Sequence, residues 1–582
     1  TKDICGYNQT INFQYQSTID VNYEAPFLKG LSLGILGAYD GLVGDNRLLN
    51  TPYQLYDYKT DAPVGTPGKA TFQNTITHMV RKNIQPKISF RTNIAQAHNI
   101  SATLVNEIRK VDYNNLSGKR QYDDLYTRDI INQGSLTNAS TTGYRTEQAY
   151  VSFLGRFNYD YKSKYLLEFT FREDGSYRYA PGRRWAFFPA FQAAWRIGQE
   201  GFIKNNFPII SDMKLRATWG KSGYDAGNAF EYVEGYTFTG VSGGYAFSDG
   251  VLTLGMVPPG VVNNYLTWVH TTSLDLGIDI ELWKGKLGFT ADYFERLEDG
   301  LLATRVATVP NTFGASFPQE NLNSQETKGF ELMVSHRNTI GKLTYGVNAN
   351  MTYSRLYYLH REQSPYRSTW SRWKSGTDGD GRIQGRAWIY DRDGIWTSIT
   401  ELEEGVPLMG TTLGNSLMLP GMDRIVDVNG DGIIDSNDQI IGAWAGSGFF
   451  GDALNPPLQY GMNLDFHVYN FDLIIGLSGA SLFSMNKSRY DQWGYGTRYP
   501  MQWSKYLDRW HTQNPTDNPF DPATVWIPGE WEALTANDAN QTSNLTTDKW
   551  RMDATFLRLK TIELGYNLPL KYVNAIKLKD RK

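Results

Sequence analysis

The sequence of 582 residues contains a single cysteine, Cys5, and seven scattered histidines. One cysteine excludes an internal disulfide framework and a cysteine-rich metal site. No apolar run approaches the roughly 18 residues that a membrane-spanning helix requires. The net charge of −3, without a cluster of lysine and arginine, argues against a nucleic-acid partner.

Sequence motifs of catalysis are also scarce. The sequence has neither a His-Glu-x-x-His zinc motif nor a phosphate-binding loop. Residues 30–34, Gly-Leu-Ser-Leu-Gly, have the composition of a nucleophile elbow, but they lie in an alternating segment and not at a strand-to-helix turn. We therefore expect a protein that is not an enzyme and has no catalytic residue.

Aromatic residues make up 14% of the chain, and many of them alternate with polar residues. The segment 274–282 shows the pattern clearly, because leucine or isoleucine at every even position alternates with acidic residues or glycine. A period of two is typical of a strand with two different faces. The composition permits either a soluble all-β protein or a membrane barrel, whose lumen and loops are polar.

Short turns alternate with long connections in this sequence. Residues 162–164, 284–286 and 469–470 are short turns, whereas residues 355–440 and 482–550 are long segments with little periodicity. Outer-membrane barrels combine short periplasmic turns with long extracellular loops, and charged residues on the second strand face suit their wet lumen. The pattern favours a large antiparallel transmembrane β-barrel, an all-β fold, over a soluble protein.

A series of local motifs follows in order along most of the chain. The motifs are Arg172–Ser176 with Arg178, Ala180–Trp185, Phe187–Pro189, Ile210–Ala217, Lys328–Leu332, Asp427–Gly432, Phe556–Lys560 and Leu564–Pro569. Each motif is weak alone, but their shared order and spacing resemble the SusC-like (SusC/RagA) branch of the TonB-dependent transporters. Two departures are Tyr179, where the family usually has phenylalanine, and Glu173.

The resemblance implies a 22-stranded barrel in the bacterial outer membrane, with an N-terminal plug, a TonB-contacting box and a SusD-like surface lipoprotein as a lid. We expect residues 1–582 to be one barrel portion that lacks the plug and the terminal strands, with extracellular loops at about 355–440 and 482–550. The implied function is TonB-energised import of oligosaccharides or, as a second choice, peptides. Alternatives are a lidless siderophore or cobalamin receptor and a soluble extracellular glycan-binding protein.

One segment has the ligand spacing of an EF-hand-like calcium loop. Glycine at its sixth position suits the sharp turn, and a bound Ca²⁺ would have a structural role. The alternative is a metal-free cluster of Asp, Asn and Gly turns. The candidate ligands, at positions 1, 3, 5, 7, 9 and 12, are Asp427, Asn429, Asp431, the carbonyl of Ile433, Asp435 and Asp438.

Aromatic residues crowd the two long connections. Their faces can stack on sugar rings, as ligand sites often require, but loop packing, lid contact or an interfacial girdle would use the same residues. The candidate substrate-binding residues are Trp370, Trp373, Tyr490, Trp493 and Tyr495.

Overall fold

A computed structural model gives the fold of the chain. No helix in the described part is long and apolar enough to cross a membrane. The structure describes residues 6–65, 68–122, 129–238, 245–248, 250–253, 255–257, 260–306, 317–363, 369, 381–383, 387–405, 418–443, 456–486, 504–531, 533 and 547–569.

Long antiparallel strands of 11 to 27 residues dominate the described chain. Their length is sufficient to cross a bilayer, which needs about 9–11 residues of tilted strand. The long strands are β1 Gly6–Glu24, β2 Leu31–Asn50, β3 Thr71–Ile94, β4 His98–Gln121, β5 Ser135–Tyr161, β6 Tyr165–Ser176, β7 Trp185–Trp195, β8 Ile210–Tyr224, β9 Val269–Leu282, β10 Leu287–Thr304, β11 Gln319–Ile340, β12 Leu343–His360, β13 Leu458–Val468, β14 Phe471–Ser481 and β15 Phe556–Tyr566.

The chain divides into two compact units, and each has its strands in chain order. The first unit, Thr1–Ala194 with Trp219–Trp268, contains β1 to β7. The second unit, Trp195–Thr218 with Val269–Lys582, contains the first part of β8 and then β9 to β15. Within each unit, successive strands pair as hairpins. This meander is the simplest topology for antiparallel strands joined by turns.

The predicted alternation of connection lengths is confirmed. The turns at 162–164, 283–286 and 469–470 are short, whereas β12 and β13 are separated by residues 361–457. The short turn between β9 and β10 joins an antiparallel pair in continuous register, from His270 with Asp299 to Leu282 with Leu287.

Apolar side chains are exposed on one face of the strands. In the β3–β4 pair, Ile84 lies opposite Ile108 and Ile88 lies opposite Leu104. All four are 44–51% exposed, although they lie in the middle of long strands. A soluble protein would bury such a face in its core, whereas a membrane barrel exposes it to lipid.

Short elements lie in the connections. Their helices are α1 Gly201–Asn206, α2 Ile399–Glu404 and the 3₁₀ turns Ile131–Gln133, Ile197–Gln199, Ser436–Asp438, Ser504–Leu507 and Asp548–Trp550. Their strands are Leu55–Tyr56, Pro63–Val64, Thr237–Phe238, Tyr245–Ser248, Val251–Thr253, Met256–Val257, Arg382–Ile383, Ala387–Tyr390, Arg392–Ile395, Asp423–Ile425, Gln439–Ala443, Ser484–Asn486, His511–Thr512, Trp526–Ile527 and Arg551–Asp553.

Candidate functional site

The two long connections of the second unit fold together. Residues 387–405 and 418–443 of the first connection share one hydrophobic core with residues 504–533 of the next, and we call this assembly the loop subdomain. Trp510, from the later connection, packs against Gly421, from the earlier one. The buried members of the core are Tyr390, Trp396, Ile399, Leu402, Met418, Leu419, Met422, Ile425, Ile434, Trp510 and Ala533.

Local sequence explains how helix α2 forms in this subdomain. Ser398 is its N-cap, and its hydroxyl accepts a hydrogen bond from the Glu401 backbone N–H at 3.2 Å. Such a cap satisfies an N–H that has no partner within the helix. Ile399 and Leu402, three residues apart, are buried in the core. The cap and the apolar pair together fix one short helix in a connection that otherwise lacks periodicity.

A buried carboxylate joins the two connections. Asp423 is fully buried, and its side chain lies 3.2 Å from Arg392 Nη1. The Thr547 hydroxyl, from the later connection, donates to the same carboxylate at 3.1 Å. Arg392 also reaches Asp548, with 3.0 Å between Nε and Oδ1. A buried charge needs such partners, because an unpaired one would be strongly destabilising.

A second ionic group lies beside helix α2. Arg424 donates to Asp393 and to Glu401, at 2.7 and 2.6 Å. Hydrogen bonds from the Thr397 N–H and hydroxyl, aided by the Arg424 charge, hold the pKa of Glu401 below its ordinary value. Glu401 is therefore ionised at neutral pH and bridges the start of the helix to the strand Asp423–Ile425.

The predicted calcium loop is a tight turn stabilised by its own carboxylates. Both Asp427 oxygens accept backbone N–H groups, from Gly430 at 2.7 Å and Gly432 at 2.8 Å. Gly432 has a positive φ of 79°, as expected for the sharp turn at the sixth position. Asp438 is fully buried and accepts from Val428 and Asp435 at 3.0 and 2.7 Å.

These hydrogen bonds are compatible with either interpretation of the loop. Among the residues that the structure describes, no group of three or more His, Cys, Asp or Glu side chains is arranged to hold a metal ion. The carboxylates of Asp431 and Asp435 also accept backbone N–H groups nearby, from Ile433 and Asn437. The calcium site stays a prediction.

The candidate substrate-binding aromatic residues, Trp370, Trp373, Tyr490, Trp493 and Tyr495, lie outside the described residues. Their proposed role therefore stays a prediction. Trp510, which belongs to the same aromatic-rich connection, is only 8% exposed and lies in the core. For this residue, packing is the observed role.

The family-like motif at the end of β6 organises a connection of the first unit. Arg178 Nε lies 2.9 Å from Asp225, and the Ser176 hydroxyl donates to the same carboxylate at 2.8 Å. The hydroxyl of Tyr179 accepts from the Ala226 N–H at 2.8 Å and donates to its carbonyl at 3.2 Å. Burial raises the pKa of Tyr179, so this hydroxyl stays protonated.

Long paired strands, an exposed apolar face, short turns and folded long connections define the class of an outer-membrane β-barrel. A family profile described as "TonB dependent receptor-like, beta-barrel" matches residues 6–406, more than half of the chain. The chain belongs to this family of outer-membrane receptors.

Two curated relatives are similar to this chain. TonB-dependent receptor P3 of Formosa agariphila is 25% identical over 538 residues, covering 88% of this chain and 48% of the relative. TonB-dependent receptor SusC of Bacteroides thetaiotaomicron is 32% identical over 215 residues, covering 37% of this chain and 21% of SusC. The chain thus spans less than half the length of P3. The resemblance to the SusC/RagA branch is confirmed.

A solved structure shows the same fold. The RagAB peptide importer in the "closed-closed" state superposes with a TM-score of 0.71 at 16% identity. The match covers 97% of this chain and 57% of that chain.

Sequence reasoning did not find the loop subdomain or its ionic group at Asp423. The available local signal was Ser398-Ile-Thr-Glu401, a helix-start pattern followed by the apolar Leu402. No local signal pairs Asp423 with Thr547, because these residues are 124 positions apart.

Proposed function

We propose that this chain is the barrel of an importer that takes up oligosaccharides or, as a second choice, peptides. In this proposal a SusD-like surface lipoprotein closes over the bound nutrient, and TonB supplies the energy for release inward. The observation that carries it is the 32% identity to SusC over 215 residues. The barrel itself binds and conducts its cargo and does no covalent chemistry.

The loop subdomain supports the proposal. In outer-membrane barrels the long connections are extracellular, where a nutrient is first captured. Here they are packed around a tryptophan-rich core and tied by Asp423, so their surface is held in a defined shape. A preformed surface loses less entropy when it binds a ligand or a lid than a flexible loop does.

The nature of the cargo is a matter of surface chemistry. Oligosaccharide recognition would use the aromatic residues predicted in the connections, through stacking on sugar rings. RagAB, which shares the fold, is a peptide importer, and this supports peptides as the second choice. Family membership argues against the soluble glycan-binding alternative. The lidless receptor stays as the rival that an experiment must test.

The experiment is extraction of the full-length protein from native outer membranes in mild detergent, followed by mass spectrometry of the copurifying proteins. We expect a lipoprotein in equimolar amount, and uptake of its preferred glycan by cells that depends on TonB. Recovery of the barrel alone, with uptake of a metal chelate, would establish the lidless receptor instead.

We also propose that the loop Asp427–Asp438 binds Ca²⁺ as a structural ion. Its oxygen-rich residues and the glycine turn support this role. In full-length protein, Ca²⁺ should protect the loop from proteolysis, and a D427N/D431N double variant should lose that protection. E403Q, at an exposed position in the same subdomain, is the matched control. Equal cleavage of the wild type with Ca²⁺ and with a chelator would refute calcium binding.

A further inference from the structure

The short turns of the second unit expose large apolar side chains. Each is at least half exposed. Phe202, Phe207 and Ile209 lie in the connection 196–209 that precedes β8, and the other three lie at or beside the short turns that follow. We call this set the turn rim. Its members, with their exposed fractions, are Phe202 (53%), Phe207 (53%), Ile209 (52%), Trp283 (52%), Ile340 (63%) and Tyr469 (65%).

Backbone and side-chain contacts link neighbouring turns of the rim. The Trp283 N–H donates to the Ile209 carbonyl at 2.9 Å, which joins the β8 start to the β9–β10 turn. The Arg337 N–H donates to the Lys286 carbonyl at 2.9 Å, which joins that turn to β11. The rim is therefore one continuous surface within the second unit.

Lysines accompany the aromatic residues along the rim. Lys204, Lys284, Lys286 and Lys342 are exposed, and in the described part of the chain none of them has a carboxylate within ion-pair distance. The Lys342 ammonium lies 4.6 Å from the Tyr469 ring centre.

Neighbouring carboxylates at the rim do not neutralise these lysines. Asp212 pairs with Arg196 at 2.6 Å, and Asp465 pairs with Arg337 at 3.4 Å. Asp472 lies 2.5 Å from His467. Among the described residues, none of these carboxylates forms an ion pair with the four lysines of the rim.

We propose that the turn rim binds the anionic headgroups of phospholipids in the leaflet that the short turns face. Exposed aromatic rings prefer the boundary between headgroups and acyl chains, and lysines on flexible stems reach the phosphates. Short turns of outer-membrane barrels face the periplasm, so this leaflet is the periplasmic one. Exposed lysines attract anionic over zwitterionic lipid.

The short turns of the first unit independently have the same chemistry. Phe27 is 76% exposed and Leu28 is 46% exposed, directly before the exposed Lys29. At the turn between β5 and β6, the Lys162 ammonium lies 5.2 Å from the Tyr161 ring centre. Lysines near aromatic residues thus recur at the short turns of the first unit.

The test uses the full-length protein in bilayers of phosphatidylcholine containing a trace of spin-labelled lipid. Electron paramagnetic resonance then measures how strongly the protein immobilises labelled phosphatidylglycerol compared with labelled phosphatidylcholine. We expect a preference of about two- to fivefold for the anionic lipid. It should fall clearly, but stay above onefold, in a K204Q/K284Q/K286Q/K342Q variant, because the first-unit turns keep their lysines.

A charge-matched control variant, K59Q/K69Q/K119Q/K221Q, changes lysines away from the short turns and should keep the preference. The milder K284Q/K286Q variant should show an intermediate preference if the fourfold variant fails to fold. Equal immobilisation of both lipids by the wild type would overturn the proposal. So would a preference that survives in the K284Q/K286Q variant at the wild-type level.

Discussion

Glycines opposite aromatic rings recur along the paired strands. At each of these positions the ring of the facing residue occupies the space where a glycine Cβ would stand. Glycine in a strand interior costs entropy, but it permits this close approach and the ring recovers packing. The cross-strand pairs are Tyr15 with Gly41, Phe171 with Gly155, Phe294 with Gly329 and Tyr460 with Gly479.

Replacing Gly155 by alanine should destabilise the barrel. The added methyl would overlap the Phe171 ring, and overpacking of this kind costs about 1–3 kcal/mol. The measurement is the urea midpoint of the full-length protein, with the heat-modifiable mobility shift on gels as the readout of the folded barrel. Gly37→Ala is the control, because a Cβ there meets nothing within 4 Å. Equal midpoints for the two variants would contradict the assigned role of the pair.

Sequence alone could not reveal these pairs. Alternation shows which residues of a strand share a face, but the register between strands depends on turn geometry and on both partners. Tyr179 is a second residue whose role needed the structure. Its departure from the family phenylalanine has a physical consequence, because the hydroxyl makes two hydrogen bonds to Ala226 that phenylalanine cannot make.

Single elements divide into those that the sequence predicted and those that it did not. The long strands and short turns were predictable, because each carries its own periodicity over many residues. The short strands of the loop subdomain have two to five residues and depend on remote partners, as in the bridge between Tyr390 and Thr547. A pattern that short carries no detectable period, so tertiary contacts decide the structure.

Helix α2 should lose stability as the pH falls. The pKa of Glu401 is lower in the folded state than its unfolded value of about 4.3. The ionised carboxylate therefore stabilises the helix above the unfolded pKa, and this stabilisation is lost as the pH falls through the lower, folded pKa. At pH 7, Glu401→Gln should therefore lower the free energy of local opening of residues 399–404, as measured by backbone hydrogen exchange, by about 0.5–1 kcal/mol. The difference from the wild type should vanish in strong acid.

Hydrogen exchange of the full-length protein, measured between pH 7 and pH 3 with correction for intrinsic rates, checks this prediction. Glu403→Gln is the matched control, because Glu403 is exposed on the same helix and should leave protection unchanged at every pH. A constant difference between Glu401→Gln and the wild type over the whole range would contradict the pKa argument.

At the scale of the whole molecule, the strands and the loop subdomain rest on different interactions. The strands are held by hydrogen-bonded ladders and by the lipid around their apolar face. The loop subdomain is held by a water-excluding core and by the ionic group at Asp423. Such a body can open as a cooperative unit while the strands stay paired. Damage to one connection should therefore spread to the other, and not to the barrel.

Replacing Trp510 by alanine tests this separation. Trp510 belongs to the later connection, but its ring packs on Gly421 of the earlier one, and loss of a buried tryptophan costs about 3–5 kcal/mol. We expect faster hydrogen exchange in residues 418–434 as well as 504–533, with an unchanged barrel urea midpoint. Trp283→Ala, which removes an exposed indole at a short turn, should leave both connections protected from exchange.

Faster exchange confined to residues 504–533 would mean that the two connections fold separately. A lowered urea midpoint would mean that the barrel depends on them.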